Sequence, residues 1–188
     1  MRRRRSKLPS LTQRRLAEHF VAGTTARIAA DLAGVHVNTA TLFFHKLREL
    51  IAAHAPELPP LDGEVEADES YFGGYRKGKR GRGAAGKVPV FGLLKRGGRV
   101  YTVEIPDISR KTLVGLIQAH VVPDSIVYTD ALKSYDTLDV SGFRHERITK
   151  AEGFVEGQGR HINGIENFWN QAKRHLRRYN GIPRHHFG

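Results

Sequence analysis

Three carboxylates stand out in a chain whose charge otherwise runs the other way. Asp68 ends the alternation Val65-Glu66-Ala67-Asp68 and is expected at the end of a first strand; Asp130 follows the apolar run Ile126-Val127-Tyr128-Thr129; Glu166 falls in the first turns of a helical stretch. The 188-residue chain carries 31 Lys+Arg against 19 Asp+Glu, a formal net charge of +12. So cationic a chain matches a polyanion, because each neutralised phosphate releases condensed counterions. Acids at strand ends would weaken that attraction unless something offset them. Mg2+ does so: it prefers hard oxygen ligands and takes one or two carboxylates together with substrate phosphate. Two such ions about 4 Å apart serve an in-line displacement at phosphorus, one at the attacking oxygen and one at the leaving oxygen. With no cysteine in the chain, disulfides, Cys-ligated zinc and thiol catalysis are excluded.

Each acid also has a plainer reading. Asp130, before Ala131-Leu132-Lys133, is equally suited to cap a helix. Glu166 could pair with a nearby Arg. Strand alternation puts Glu64, Glu66 and Asp68 on one face and Val65, Ala67 and Glu69 on the other, so Glu66 or Glu69 competes with Asp68 on geometry alone. His145 and His161 suit polar loops better than metal ligation. Asn163, Glu166 and Lys173 share one side of their helix, which sets a cation two turns beyond the acid.

The elements that must position these groups divide the chain in two. Residues 1–55 hold ten Lys/Arg against Glu18, Asp31 and Glu49, a balance of 10 − 3 = +7. They open with an arm, Arg2, Arg3, Arg4 and Arg5, suited to a DNA backbone or groove. A helix is expected from Leu11 to Val21, with Leu16, Ala17, Phe20 and Val21 on one stripe. A second follows an N-cap at Thr24 or Thr25, carries Ile28, Ala29 and Leu32, and stops at Gly34. A third runs from Val37 to Ala53, with Ala40, Phe43, Phe44, Leu47, Leu50 and Ile51 as one buried face. Short helix, turn, longer helix is the layout of a helix-turn-helix, whose last helix enters the major groove. Its outer face would carry Asn38, Thr41, Leu42, His45 and Lys46, residue types able to read base edges or hold phosphate. A plain three-helix bundle would show a polar outer face too.

Residues 56–62 form a Pro-rich linker. Beyond it, Val88 to Leu94 and Arg99 to Ile105 read as strands joined by a hairpin at Gly97-Gly98. Leu113, Leu116 and Ile117 recur at helical spacing behind Ser109. Ser125 to Thr129 is a short apolar strand, 143–149 a further one, and Asn163 to Tyr179 a long basic helix. The expected class is α/β with a mixed sheet. Residues 75–87, with Lys77, Lys79, Arg80 and Arg82, read as a mobile basic finger. The start of the chain lacks the apolar core of a signal peptide, and no apolar run is long enough for a transmembrane helix.

Four stretches together carry a resemblance: VEADESYFGG (65–74), GKVPVFGLLKRGGRVY (86–101), VYTDALKSYDTL (127–138) and GRHINGIENFWNQAKRHLRRYNGIPRHHF (159–187). They resemble insertion-sequence transposases of the DDE superfamily, ISXO-like branch, over about residues 62–188. The resemblance implies a ribonuclease H-like catalytic domain over 63–188, with Asp68, Asp130 and Glu166 as metal-binding carboxylates and Lys173 as the basic residue that follows. Some members have Asn in place of the third acid, so Asn163 stands as rival or accessory to Glu166. It further implies two Mg2+ (or Mn2+) ions and double-stranded DNA, both element ends and target, as partner. A homodimer or higher assembly on DNA and a cytoplasmic, nucleoid-associated prokaryotic setting are also implied. The expected activity is Mg-dependent DNA cleavage and strand transfer at terminal inverted repeats; the alternative is a DNA-binding regulator or an inactive remnant. Relatives often carry an N-terminal zinc ribbon, which a cysteine-free chain cannot form. They also continue past the point where this chain stops, at Gly188, which raises the expectation of a truncated copy.

Overall fold

The computed structural model describes residues 7–54, 59–73, 87–130, 142–148 and 161–179. The expected basic arm (Arg2 to Arg5), the basic finger (Lys77, Lys79, Arg80, Arg82) and the residues just after Asp130 lie outside the described residues. The chain divides into two compact units, Met1–Leu58 and Pro59–Gly188.

In the first unit, α1 spans Ser10–Val21, α2 Ala26–Ala33 and α3 Val37–His54. The Thr25 hydroxyl caps α2 by accepting the Ile28 N–H at 3.3 Å. Gly34 ends it in the left-handed region at φ 66°, returning its N–H to Ala30 and Asp31, a conformation that favours glycine. The core is small: Leu16, Ala29, Ala30, Ala40 and Phe44 are buried, and Phe20 meets Phe44 edge-on at 5.2 Å between ring centroids.

Several expected core positions are instead exposed: Val21 at the end of α1, Ile28 and Leu32 on α2, and Leu50 and Ile51 on α3. Two physical reasons account for those on α2 and α3. Helix α2 packs through Ala29 and Ala30, whose small side chains bring it close and leave Ile28 and Leu32 beside the contact rather than in it. At about 1.5 Å per residue, α3 is also longer than either partner, so its last turns outrun the surface that could cover them.

The second unit is an α/β arrangement built on a mixed five-stranded sheet, in the order β3-β2-β1-β4-β5. Strand β1 spans Glu64–Phe72, β2 Val88–Lys95, β3 Val100–Glu104, β4 Ile126–Asp130 and β5 Arg144–Ile148. The first three form an antiparallel meander; β4 pairs parallel with β1, and β5 parallel with β4. The β2–β3 turn falls on Gly97 (φ 66°) and Gly98, as expected. Helix α4, Arg110–His120, crosses from β3 to β4. Ser109 accepts the Thr112 N–H at its start, and Asp107 braces both residues.

Alternation along the strands creates two apolar faces. Val65, Ala67, Phe91, Leu93 and Val127 face α4 through Leu113 and Ile117. Phe72, Tyr128, Val90 and Leu94 face α5, Asn163–Leu176, through Ile165 and Trp169. A 3-10 turn, Arg177–Tyr179, follows α5. Leu61 is buried in the α4-side core and bridges to Val121, while the Arg99 guanidinium donates to the carbonyls of Pro59 and Pro60. Residues 59–62 are therefore seated on this unit.

Candidate active site

Parallel pairing of β1 with β4 runs from Glu64 and Ile126 to Ala67 and Thr129. Asp68 and Asp130 are the next residue on each strand. They project from neighbouring strands at the carboxyl end of the parallel pair, where open α/β sheets commonly bind ligands. Asp68 is not at the end of its strand, as expected from sequence, but near the middle, because the antiparallel partnership with β2 carries β1 on to Phe72. Asp130 is the last residue of β4 and pairs with Ile148.

Asp68, Glu69 and Asp130 each place a carboxylate oxygen within 4.8 Å of the others. Crowding and burial both disfavour the ionised form of Asp68. The Asp68 carboxyl is pushed up to about 7, first by burial, then by the charges of Glu69 and Asp130, with Glu166 adding to them. Glu166 is exposed in the first turn of α5 and its charge reaches Asp68. Asn163 opens the same helix and is exposed. Lys173 holds its ammonium 5.8 Å from the Phe72 ring centroid. Burial lowers its pKa, which the Asp68 charge opposes and Lys87 reinforces.

Helix α5 is laid along β1 by residues that no local pattern marks as a unit. Glu66, 1% exposed, accepts the Ile165 N–H at 2.9 Å through Oε2 and the Arg96 Nε–H at 3.0 Å through Oε1. Two glycines permit the close approach. A Cβ on Gly92, the partner of Asp68 across β1–β2, would fall 2.5 Å from Trp169 Cζ2; one on Gly164 would fall 2.8 Å from Glu66 Oε2. Ile165 meets the sheet at Glu66, Trp169 at Gly92 and Lys173 at Phe72. The helix thus travels along β1 past the level of Asp68. Trp169 is buried and anchors the helix on the sheet.

Among the sequence candidates, Glu66 turns inward as a tether, and Glu69 joins Asp68 and Asp130. Neither outcome follows from alternation, since a side chain's reach depends on where β4 stops. Arg96 was not among the candidates at all, and its position after a hairpin strand gives no local signal. His145 accepts or donates to the Thr129 hydroxyl at 2.8 Å, and His161 lies 3.5 Å from Glu66 Oε1. On α3, Asn38, Thr41, Leu42, His45 and Lys46 are exposed as expected; His45 is 3.2 Å from Glu49.

The sequence profile of the ISXO2-like transposase domain matches residues 60–188. The chain belongs to this family. An uncharacterized transposase-like protein of Haemophilus influenzae is 55% identical over 89 residues, which are 47% of this chain and 72% of that protein. Two solved structures with a similar course are the Mos1 strand transfer complex and the Mos1 transposase paired-end complex with left transposon end. Both are 12% identical and cover 92% of this chain, with 73% and 74% of their own chains and TM-scores of 0.32 and 0.34. Superpositions that loose carry no residue correspondence. Within this ISXO2-like transposase domain lie all the acids of the site, α5 and the glycines that seat it. No described helix is long and apolar enough to cross a membrane.

Proposed function

We propose that this chain is a DDE-type DNA transposase of an insertion sequence, which cleaves DNA at terminal inverted repeats and joins the freed ends to a target. The observation that carries this reading is the convergence of Asp68, Glu69 and Asp130 within 4.8 Å in a transposase-family domain. The sheet order, with β4 and β5 parallel to β1 and an antiparallel meander on its other side, supports a ribonuclease H-like catalytic domain over residues 63–188. Residues 1–55 act as the helix-turn-helix domain that finds the element ends, with the linker cut back to residues 56–58 because the second unit begins at Pro59.

The donor set fits a hard divalent cation. The clustered oxygens are carboxylates, and burial together with the neighbouring charges of Glu69 and Asp130 raises Asp68, a cost to its ionised form that a cation would relieve. Asp68, Asp130 and Glu166 would hold two Mg2+ or Mn2+, with Glu69 close enough to contribute and Asn163 as accessory. Bound there, such ions supply Lewis acidity toward a phosphodiester and acidify a coordinated water. The protein's own share is to orient and to screen. Lys173, within reach of the Asp68 charge, steadies the phosphate of the scissile strand. Water adds to phosphorus, the bond to the 3′ oxygen breaks, and a 3′-hydroxyl is released. That hydroxyl then attacks a target phosphodiester and displaces its 3′ oxygen, so one bond forms as one breaks.

The test incubates the purified full chain with labelled element-end DNA and Mg2+ or Mn2+, scoring nicks and joined products beside Asp68→Asn. Nicks and joins that vanish in the variant are expected. Nicks without joins mark a nuclease, and binding without nicks marks a DNA-binding regulator; either outcome rejects the proposal.

A further inference from the structure

The Glu66–Arg96 pair has no role in the chemistry above, yet it lies beneath the site and is costly. Glu66 is two positions before Asp68 on the same face of β1 and 1% exposed. A buried carboxylate is expensive unless its lone pairs are satisfied and its charge is matched, and an apolar side chain would pack there more cheaply. Both oxygens of Glu66 are engaged, Oε2 by the Ile165 N–H and Oε1 by Arg96 Nε–H at 3.0 Å. Arg96 is held in turn. One nitrogen of its guanidinium donates to Glu64 and another to the His161 carbonyl at 2.6 Å, while its plane covers the Tyr128 ring at 3.9 Å from the centroid. Strand β1, the end of β2, β4 and the residues leading into α5 therefore meet on one guanidinium–carboxylate pair.

What that junction controls is the start of α5. The helix has no side-chain cap of its own at Ile162; Glu66 provides one from the sheet. Its negative charge also suits the helix N-terminus. Ile165 is the residue before Glu166, and successive helical residues differ by about 100° around the axis. A helix start free to wind or unwind by one residue would swing Glu166 away from Asp68. Gly164 permits this tether, because its bare Cα lets the helix backbone rest against the Glu66 carboxylate.

We propose that Glu66 and Arg96, with Gly164, are positioning residues that lock the first turn of α5 so that Glu166 faces Asp68 and Asp130. This rests on the proposed metal-dependent activity and adds the device that aims its third carboxylate. Neither side chain touches substrate or metal.

The experiment uses the full chain and three variants, Glu66→Gln, Arg96→Lys and Gly164→Ala, with Asp68→Asn as control. Two readouts are independent of catalysis: hydrogen exchange of the peptide spanning the first turn of α5 in metal-free protein, and Mn2+ affinity from the EPR signal of free Mn2+. Glu66→Gln is expected to speed exchange in the first turn while the Trp169–Leu176 turns stay protected, and to weaken Mn2+ binding about tenfold. Cleavage should lose kcat at unchanged KM for DNA. Arg96→Lys, which keeps the charge but loses the fork, should show the same effects in smaller degree. Gly164→Ala, with both charges in place, should weaken Mn2+ binding as well, and carries the test if Glu66→Gln fails to fold. Wild-type exchange and Mn2+ affinity in Glu66→Gln, with binding lost in Asp68→Asn, overturn the positioning role and leave the proposed activity standing. Failure of the wild-type chain to bind Mn2+ overturns the activity itself.

Discussion

The Glu66 carboxylate accepts the Ile165 backbone N–H at 2.9 Å across 99 positions of sequence. The first turn of the last helix is thereby indexed to the strand that carries Asp68. Two residues farther along that strand, Gly92 stands opposite Asp68 and beneath Trp169. The acids and the helix that faces them are therefore spaced by the same strand.

Asp68→Asn should stabilise the metal-free protein while removing its activity. The folded-state pKa of Asp68 lies above its ordinary value, at about 7. Its contribution is therefore most favourable at low pH and is lost as pH rises through that window. Removing the charge should recover on the order of 1–2 kcal/mol above pH ~8, after allowance for partial solvation. Thermal melts with and without Mn2+ check this: Mn2+ should raise the Tm of the wild type and leave that of the variant unmoved.

Gly92→Ala should loosen the α5 face of the sheet. The new Cβ would lie 2.5 Å from Trp169 Cζ2 and 3.0 Å from Ile165 Cδ1, and such overpacking typically costs about 1–3 kcal/mol. Denaturant unfolding measures the loss. Combining it with Trp169→Phe should recover part of the cost; strict additivity of the two changes would contradict the contact.

Asp107 should make the start of α4 sensitive to acid. Hydrogen bonds from Ser109 and Thr112 hold its carboxyl below the ordinary carboxylate range. A depressed folded-state pKa contributes stability that is present above the ordinary value and is lost as pH falls through the lowered one. The wild type should thus exceed Asp107→Ala in stability at neutral pH, and the two should converge in acid. Parallel melting curves at both pH values decide it.

On DNA, the exposed face of α3 should separate specificity from affinity. Lys46→Ala is expected to weaken binding to all sequences alike and to reduce the salt slope by about one. Asn38→Ala should cost about 1–3 kcal/mol at a single base position. Deleting Arg2 to Arg5 should act as Lys46→Ala does, but more steeply. Titrations at several salt concentrations, on element-end and scrambled duplexes, distinguish these behaviours.

Charge and the absence of cysteine are properties of composition, so the expectation of a polyanion partner and of an oxygen-ligated metal needed no fold. Helix and strand periods, the Gly97-Gly98 turn and a cap at Thr24 or Thr25, which the structure places at Thr25, are local and were read near their observed bounds, except that β1 runs past Asp68 to Phe72. Asp68 and Asp130 stood out because acids in a basic chain are conspicuous. Which hydrophobics would be covered was less legible. Ile28, Leu32, Leu50 and Ile51 have the right period for a buried stripe, but burial depends on the length and closeness of partner helices. The roles of Glu66, Glu69 and Arg96 were decided only by tertiary structure. A carboxylate becomes a helix tether or a member of an acid cluster according to where the neighbouring strand ends and how near a distant helix can come, and those distances exist only once the sheet has formed.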